Sequence, residues 1–173
     1  MTTRRQALAA APLVALGAVL PTPATARTSS DDRSVLALLV IFAGEVVLAY
    51  RDALANAHWP AREHEQLMQL SAQAGQMDGA LRHALTQAGG TPSPEWALPY
   101  AKVSGGRDAH LRSIVAQEES LTNAWYRAIQ RFDERKLIEG SVAFMAAGGR
   151  RLVVLRELAG LPLVPRSFES GGL

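Results

Sequence analysis

The sequence contains no cysteine. Disulfides, thiolate-bound metals, iron–sulfur clusters and c-type haem attachment all require that residue, so none of them contributes to this protein. The sequence also lacks a P-loop, a dinucleotide-binding fingerprint and the Gly-x-Ser-x-Gly elbow of serine hydrolases. These absences argue against nucleotide-dependent enzymes and against hydrolases. A helical protein, with or without a metal site, is consistent with them.

The first 26 residues have the composition of an export signal. Arg4 and Arg5 precede an apolar stretch at 7–20, and a small-residue Ala-Thr-Ala site follows at 24–26. The apolar stretch is shorter than the roughly 20 residues that span a bilayer. The arginine pair predicts the twin-arginine route, with ordinary secretion and a retained anchor as alternatives. We expect a periplasmic or extracellular protein with no stable membrane span after signal removal.

The charges of the exported part are balanced. The formal net charge is +2, but Arg4 and Arg5 lie in the predicted signal, and without them 16 Lys and Arg remain against 16 Asp and Glu. A nucleic-acid-binding domain normally carries a basic excess. We therefore expect no nucleic-acid partner, while the sequence leaves the partner unknown and homo-oligomer formation open.

The remaining chain is organised as one all-α domain. Apolar residues recur at three- and four-residue steps in four segments, the spacing of an amphipathic helix. The predicted helices are about 34–57, 60–88, 108–132 and 133–159. Residues 27–33 are a predicted linker with Ser30, Asp31 and Asp32 as candidate caps, 34–160 the bundle, and 161–173 an extended tail.

The long connection between the second and third helices decides the topology. Residues 89–107 are rich in glycine and proline, and at about 3.3 Å per residue they can reach roughly 60 Å. A helix of about 25 residues is only about 38 Å long. The connection can therefore cross the bundle and join two antiparallel hairpins, with Trp96, Leu98 and Tyr100 as predicted anchors. The alternative is an up-down bundle with an unanchored loop.

A set of local motifs resembles a known group of helical proteins. The motifs are the export signal, 84–92 (Ala-Leu-Thr-Gln-Ala-Gly-Gly-Thr-Pro), Glu118-Glu119 followed by Tyr126, 154–156 (Val-Leu-Arg) and 164–171 (Val-Pro-Arg-Ser-Phe-Glu-Ser-Gly). In this order they resemble the secreted ferritin-like proteins of bacteria, including the group loosely called desiccation-associated. The resemblance implies a ferritin-like four-helix bundle.

The metal ligands that the resemblance would imply are degenerate in this sequence. A di-iron bundle uses a Glu from each of two helices and a Glu-x-x-His from each of the other two. No Glu-x-x-His occurs here, and the corresponding positions are Ala74, Met77, Gly148 and Arg151. These residues cannot ligate iron, and Arg151 brings a positive charge of its own. We expect no cofactor, with iron as the alternative.

Several polar residues remain as candidates for the bundle centre. We predict that Arg151 points inward and pairs with one of Glu45, Glu118 and Glu119, because a buried charge requires a partner. If a metal is bound, its ligands would come from the three glutamates and His64. The histidines are otherwise interpreted as surface or loop residues: His58, His64, His83 and His110. Small residues at Gly148 and Gly149 are expected to admit a bulky neighbour, such as Trp125 or the side chain of Arg151.

Two classes of function follow from this pattern. The first is a non-catalytic protein of the cell envelope, or a binding protein, that has lost its di-metal site. The second is a metal-binding or di-iron oxidase-type protein with a non-standard site. No catalytic residue is assigned, and the first class is favoured because the four ligand positions are apolar, absent or cationic.

Overall fold

The computed structural model describes residues 29–163. The predicted export signal and the tail from residue 164 onward lie outside this range. The described chain forms four α-helices and one short 3-10 turn: α1 (Ser30–Asn56), α2 (Ala61–Gln87), the turn Glu95–Ala97, α3 (Arg107–Ile129) and α4 (Arg135–Leu158). The all-α class predicted from the sequence is confirmed.

The first helix begins earlier than predicted, inside the expected linker. Ser29 is its N-cap, and the Ser29 side chain accepts a hydrogen bond from the Asp32 backbone N–H at 3.0 Å. The Asp32 carboxylate in turn accepts a hydrogen bond from the Asp133 backbone N–H at 3.0 Å. The predicted caps Ser30, Asp31 and Asp32 instead lie in the first turn of α1, and Asp32 attaches the start of the helix to the turn between α3 and α4.

The order of contacts along α1 fixes the topology. Asp32 at the start of α1 meets Asp133 after α3, and Asp52 near the end of α1 meets Val103 before α3. Helices α1 and α3 are therefore antiparallel. A short turn makes α1 and α2 antiparallel as well, so α2 and α3 run in the same direction. The predicted crossover between two helical hairpins is confirmed.

The crossover segment is anchored by two of the three residues predicted for that role. Leu98 is 8% exposed, and a Cβ on Gly44 would lie 2.5 Å from Leu98 Cδ1, so the glycine lets the loop approach α1. Tyr100 is partly buried against the core. Trp96 is 87% exposed, so its prediction as an anchor was wrong. Its neighbour Glu95 holds the turn instead, through an ion pair with Arg51 at 2.8 Å.

Helix α1 is apolar enough to resemble a membrane span, and its packing explains why. Its most apolar window has a mean hydropathy of 1.9, and 56% of that window is buried within the bundle. The helix packs against both α2 and α3, and α3 packs against α4. A helix covered on two sides by neighbours needs an apolar surface wider than a single stripe.

Candidate functional site

A buried ion pair includes Arg151, one of the positions at which the resemblance implies a metal ligand. Arg151 Nε donates to Glu118 Oε1 at 2.6 Å, and Arg151 Nη2 donates to Glu118 Oε2 at 2.9 Å. The two residues, from α4 and α3, are 3% and 0% exposed. The guanidinium edge therefore matches both carboxylate oxygens, which is the strongest form of a charge-assisted hydrogen bond.

Tyr50 completes this cluster from α1. Its hydroxyl donates to Glu118 Oε1 at 3.1 Å, and the ring is fully buried. Burial, reinforced by the charge of Glu118, raises the pKa of Tyr50 well above its usual value, so the phenol stays protonated. Burial opposes the charge on Arg151, but the hydrogen bonds and charge of Glu118 outweigh it and raise the pKa of Arg151. We call Tyr50, Glu118 and Arg151 the central cluster.

Two of the positions expected from the resemblance, Met77 and Gly148, lie against Arg151 in the central cluster. Met77 Sδ lies 3.8 Å from Arg151 Nη2, and Ala74 on the same helix is fully buried. A Cβ on Gly148 would lie 3.8 Å from Arg151 Nη2, which is an ordinary contact distance. An alanine would therefore fit at this position. The Arg151 side chain is thus a neighbour of Gly148, as expected from the sequence, although an alanine would leave room for it as well.

Among residues 29–163, no hydrogen bond or ion pair joins the other candidates to the central cluster. Glu119 pairs with Arg156 and its side chain is 38% exposed. Glu45 is buried on α1, where burial raises its pKa, but no hydrogen bond or ion pair joins it to Arg151 among residues 29–163. His64 is exposed on α2. The structure thus reduces the predicted four-residue cluster to Glu118 and Arg151 and adds Tyr50.

A second buried polar group was not foreseen. The Asp52 carboxylate accepts hydrogen bonds from Tyr100 Oη at 2.9 Å, from Val103 N at 2.9 Å and from Asn56 Nδ2 at 2.8 Å. Burial raises the pKa of Asp52, but these hydrogen bonds outweigh it and hold the pKa below its usual value. Burial and the bond to Asp52 raise the pKa of Tyr100 to about 12. We call these four residues the loop anchor.

His110 lies beside the loop anchor and is not a surface residue. It is 1% exposed, its Nδ1 is 3.9 Å from Asp52 Oδ2, and within the described part of the chain neither ring nitrogen has a hydrogen-bond partner. The surface interpretation of His110 was wrong. The signal was present in the sequence, because His110 precedes Ile114 and Glu118 at helical steps of four and so shares their buried face.

The donor set of the central cluster does not fit a di-metal centre. Such a centre needs several carboxylate and imidazole ligands directed at one point. The central cluster offers one carboxylate, a protonated phenol and a nearby thioether, together with a fixed guanidinium charge. Within residues 29–163, no group of three or more His, Asp or Glu side chains is placed to hold a metal.

Comparisons with known proteins support the fold. No family model matches the sequence, and no curated protein matches it. Among solved structures, the crystal structure of a Dps mutant from Listeria innocua superposes with a TM-score of 0.67 at 16% sequence identity. The match covers 79% of this chain and 98% of that chain. The protein is therefore a four-helix bundle with the ferritin-like fold.

Proposed function

We propose that this protein is an exported ferritin-like bundle that has lost its di-metal site and has a non-catalytic role in the cell envelope or in binding. The observation that carries the proposal is the bidentate pair between Glu118 and Arg151 at the bundle centre. Here the arginine supplies the positive charge that balances a buried carboxylate. The charge of Glu118 therefore does not need a metal ion to balance it.

The energetics of the pair support this proposal. Binding a metal through Glu118 would first require separating it from Arg151, and the guanidinium would then be buried without a partner. Leaving one member of such a pair unmatched costs on the order of 3–5 kcal/mol. Arg151 would also repel any cation held within a few ångströms of it. Both effects oppose metal binding in the wild-type protein.

The export part of the proposal is supported by the sequence before residue 27. N-terminal sequencing of the protein recovered from the cell envelope or the medium should begin near Arg27. Substituting lysine for both Arg4 and Arg5 should block export on the twin-arginine route. Unchanged export of that variant would leave the general secretory route, and an intact Met1 on a cytoplasmic protein would refute export.

Metal content tests the central part of the proposal. The mature protein is purified, incubated with ferrous iron under anaerobic conditions, desalted and analysed for metal. We expect no stoichiometric metal. The informative variants are Glu118→Gln in the central cluster and Glu119→Gln outside it. Stoichiometric iron that Glu118→Gln abolishes and Glu119→Gln leaves intact would establish the alternative, a metal-binding or di-iron oxidase-type protein.

A further inference from the structure

The central cluster has the geometry of a binding site for a planar cation. We infer that the bundle centre is a guanidinium site, which the wild-type protein fills with its own Arg151 and which a free alkylguanidinium fills when that side chain is shortened. This inference rests on the proposed function, because it requires a centre without metal. Its ligand class is an organic cation with two parallel N–H donors.

The acceptor side of the site is fixed independently of Arg151. Tyr50 on α1 donates to Glu118 Oε1, and both residues are fully buried. This bond comes from a different helix than the arginine does, so it remains when Arg151 is truncated. The Glu118 carboxylate therefore stays oriented toward the space that the guanidinium leaves.

The contacts favour a guanidinium over a metal or an ammonium ion. Divalent metals prefer several oxygen or nitrogen ligands, and this site has one carboxylate. An ammonium ion is a compact, strongly hydrated charge that does not match two carboxylate oxygens side by side. The position beyond Arg151 Nη2 is bounded by Met77 Sδ at 3.8 Å, a soft and weakly polar neighbour. Such a wall suits a weakly hydrated planar cation.

The atoms that Arg151→Ala removes determine which small molecule should be used to test the site. Arg151→Ala removes everything beyond Cβ, which is two methylene groups and the guanidinium, and ethylguanidinium has that composition. The alanine Cβ remains on α4. Because the site is enclosed, the variant should be refolded with the probe present so that entry does not limit binding.

Thermal unfolding of the mature Arg151→Ala variant tests the inference. With ethylguanidinium chloride at ten times its Kd, we expect the Tm to rise by about 4 °C relative to the same concentration of ethylammonium chloride. Wild-type protein and the double variant Arg151→Ala/Glu118→Gln should show no such difference. If Arg151→Ala is unfolded in buffer, the readout is recovery of helical circular dichroism on addition of ethylguanidinium.

Three results would overturn the inference. One is an equal effect of ethylammonium and ethylguanidinium on Arg151→Ala. Another is a variant that ethylguanidinium neither stabilises nor refolds. The third is stronger stabilisation of Arg151→Ala by Mn²⁺ or Zn²⁺ than by ethylguanidinium, which would make the vacancy a metal site. Stoichiometric metal in the wild-type protein would instead refute the proposed function, so the two failures are distinguishable.

Discussion

The central cluster, which joins α1, α3 and α4, and the loop anchor, which joins α1 to the crossover segment, each contain a buried carboxylate, but the two carboxylates are balanced differently. In the central cluster, a carboxylate and a guanidinium neutralise each other, and a phenol takes up one further acceptor position. In the loop anchor, the negative charge of Asp52 is met by neutral donors from the crossover segment and from Asn56. Beside it, neither ring nitrogen of His110 has a hydrogen-bond partner among residues 29–163.

This difference separates two uses of a buried carboxylate in one fold. The Glu118 carboxylate joins three helices through side chains distant in sequence, so it closes the centre of the bundle. The Asp52 carboxylate binds a backbone N–H and a hydroxyl of the crossover, so it fixes the path of a loop. Because Glu118 is neutralised by a charged partner and Asp52 by neutral donors, loss of one partner should lower the stability of the protein more in the central cluster than in the loop anchor.

The largest expected effect is that of Arg151→Met. Methionine removes the cation and leaves Glu118 buried with only the Tyr50 hydrogen bond. We expect the free energy of unfolding to fall by about 3–5 kcal/mol. Urea unfolding followed by circular dichroism at neutral pH measures the change.

The control for Arg151→Met is the double variant with Glu118→Gln, which removes the unmatched charge. Most of the lost stability should return in the double variant, because an uncharged centre requires no cation. A neutral effect of Arg151→Met alone would show that Glu118 is stabilised without its partner, and the comparison between the two clusters would then fail.

The next largest effect is expected for Asp52→Asn. The amide keeps the size of the side chain but loses the charge that accepts from Tyr100 and Val103, and we expect a loss of about 1–3 kcal/mol. The matched control is Asp31→Asn on the same helix, an exposed position that should change stability little. Equal effects at the two positions would show that the loop anchor contributes nothing.

The pH dependence of stability provides a second readout for Asp52. Its pKa in the folded protein is lowered below 3.8, its ordinary value. The stabilising contribution is therefore complete above the unfolded-state pKa and is lost as pH falls through the folded-state value. Urea midpoints measured from neutral to strongly acidic pH should converge for the wild type and Asp52→Asn. Curves that run parallel throughout would contradict the assigned role.

The sequence was sufficient for the fold because the fold depends on patterns that repeat. Four amphipathic stretches and one long connection determine the hairpins and the crossover. The start of α1 was misplaced because capping residues and linker residues have the same polar composition, and only the contact from Asp32 to Asp133 distinguishes them. Trp96 was misassigned for a similar reason, since a bulky loop aromatic does not reveal which way it faces.

The residues of the site could be predicted only at positions that correspond to metal ligands of ferritin-like proteins. The ligand positions of a ferritin-like bundle placed Arg151 near inward acids, but the choice between Glu118 and Glu119 was left open, although Glu118 follows Ile114 by one helical step of four and so lies on the buried face of α3. Tyr50 and Asp52 are ordinary polar residues near the end of an apolar helix. Their roles depend on which partners α3 and the crossover bring to them, and those contacts are distant in sequence.

A smaller effect is expected for His110→Leu. A buried polar group without a partner costs stability, and leucine replaces it with an apolar side chain of similar length. We expect the variant to be more stable by about 1 kcal/mol. His83→Leu at an exposed position of α2 is the control and should change little. A loss of stability in His110→Leu would indicate that the imidazole is hydrogen-bonded in solution, as by a buried water.

The smallest effects are expected for the paired glycines of α4, and they test how tightly the central cluster is packed. A Cβ at Gly149 would meet nothing within 4 Å, whereas one at Gly148 would lie 3.5 Å from Thr122 Oγ1 and 3.8 Å from Arg151 Nη2. Alanine at either helical position should add about 0.5–1 kcal/mol through backbone propensity. Because both distances at Gly148 are ordinary contacts, Gly148→Ala should gain as much as Gly149→Ala in urea unfolding. A gain at Gly149 with a loss at Gly148 would show that the central cluster has no room for one methyl group.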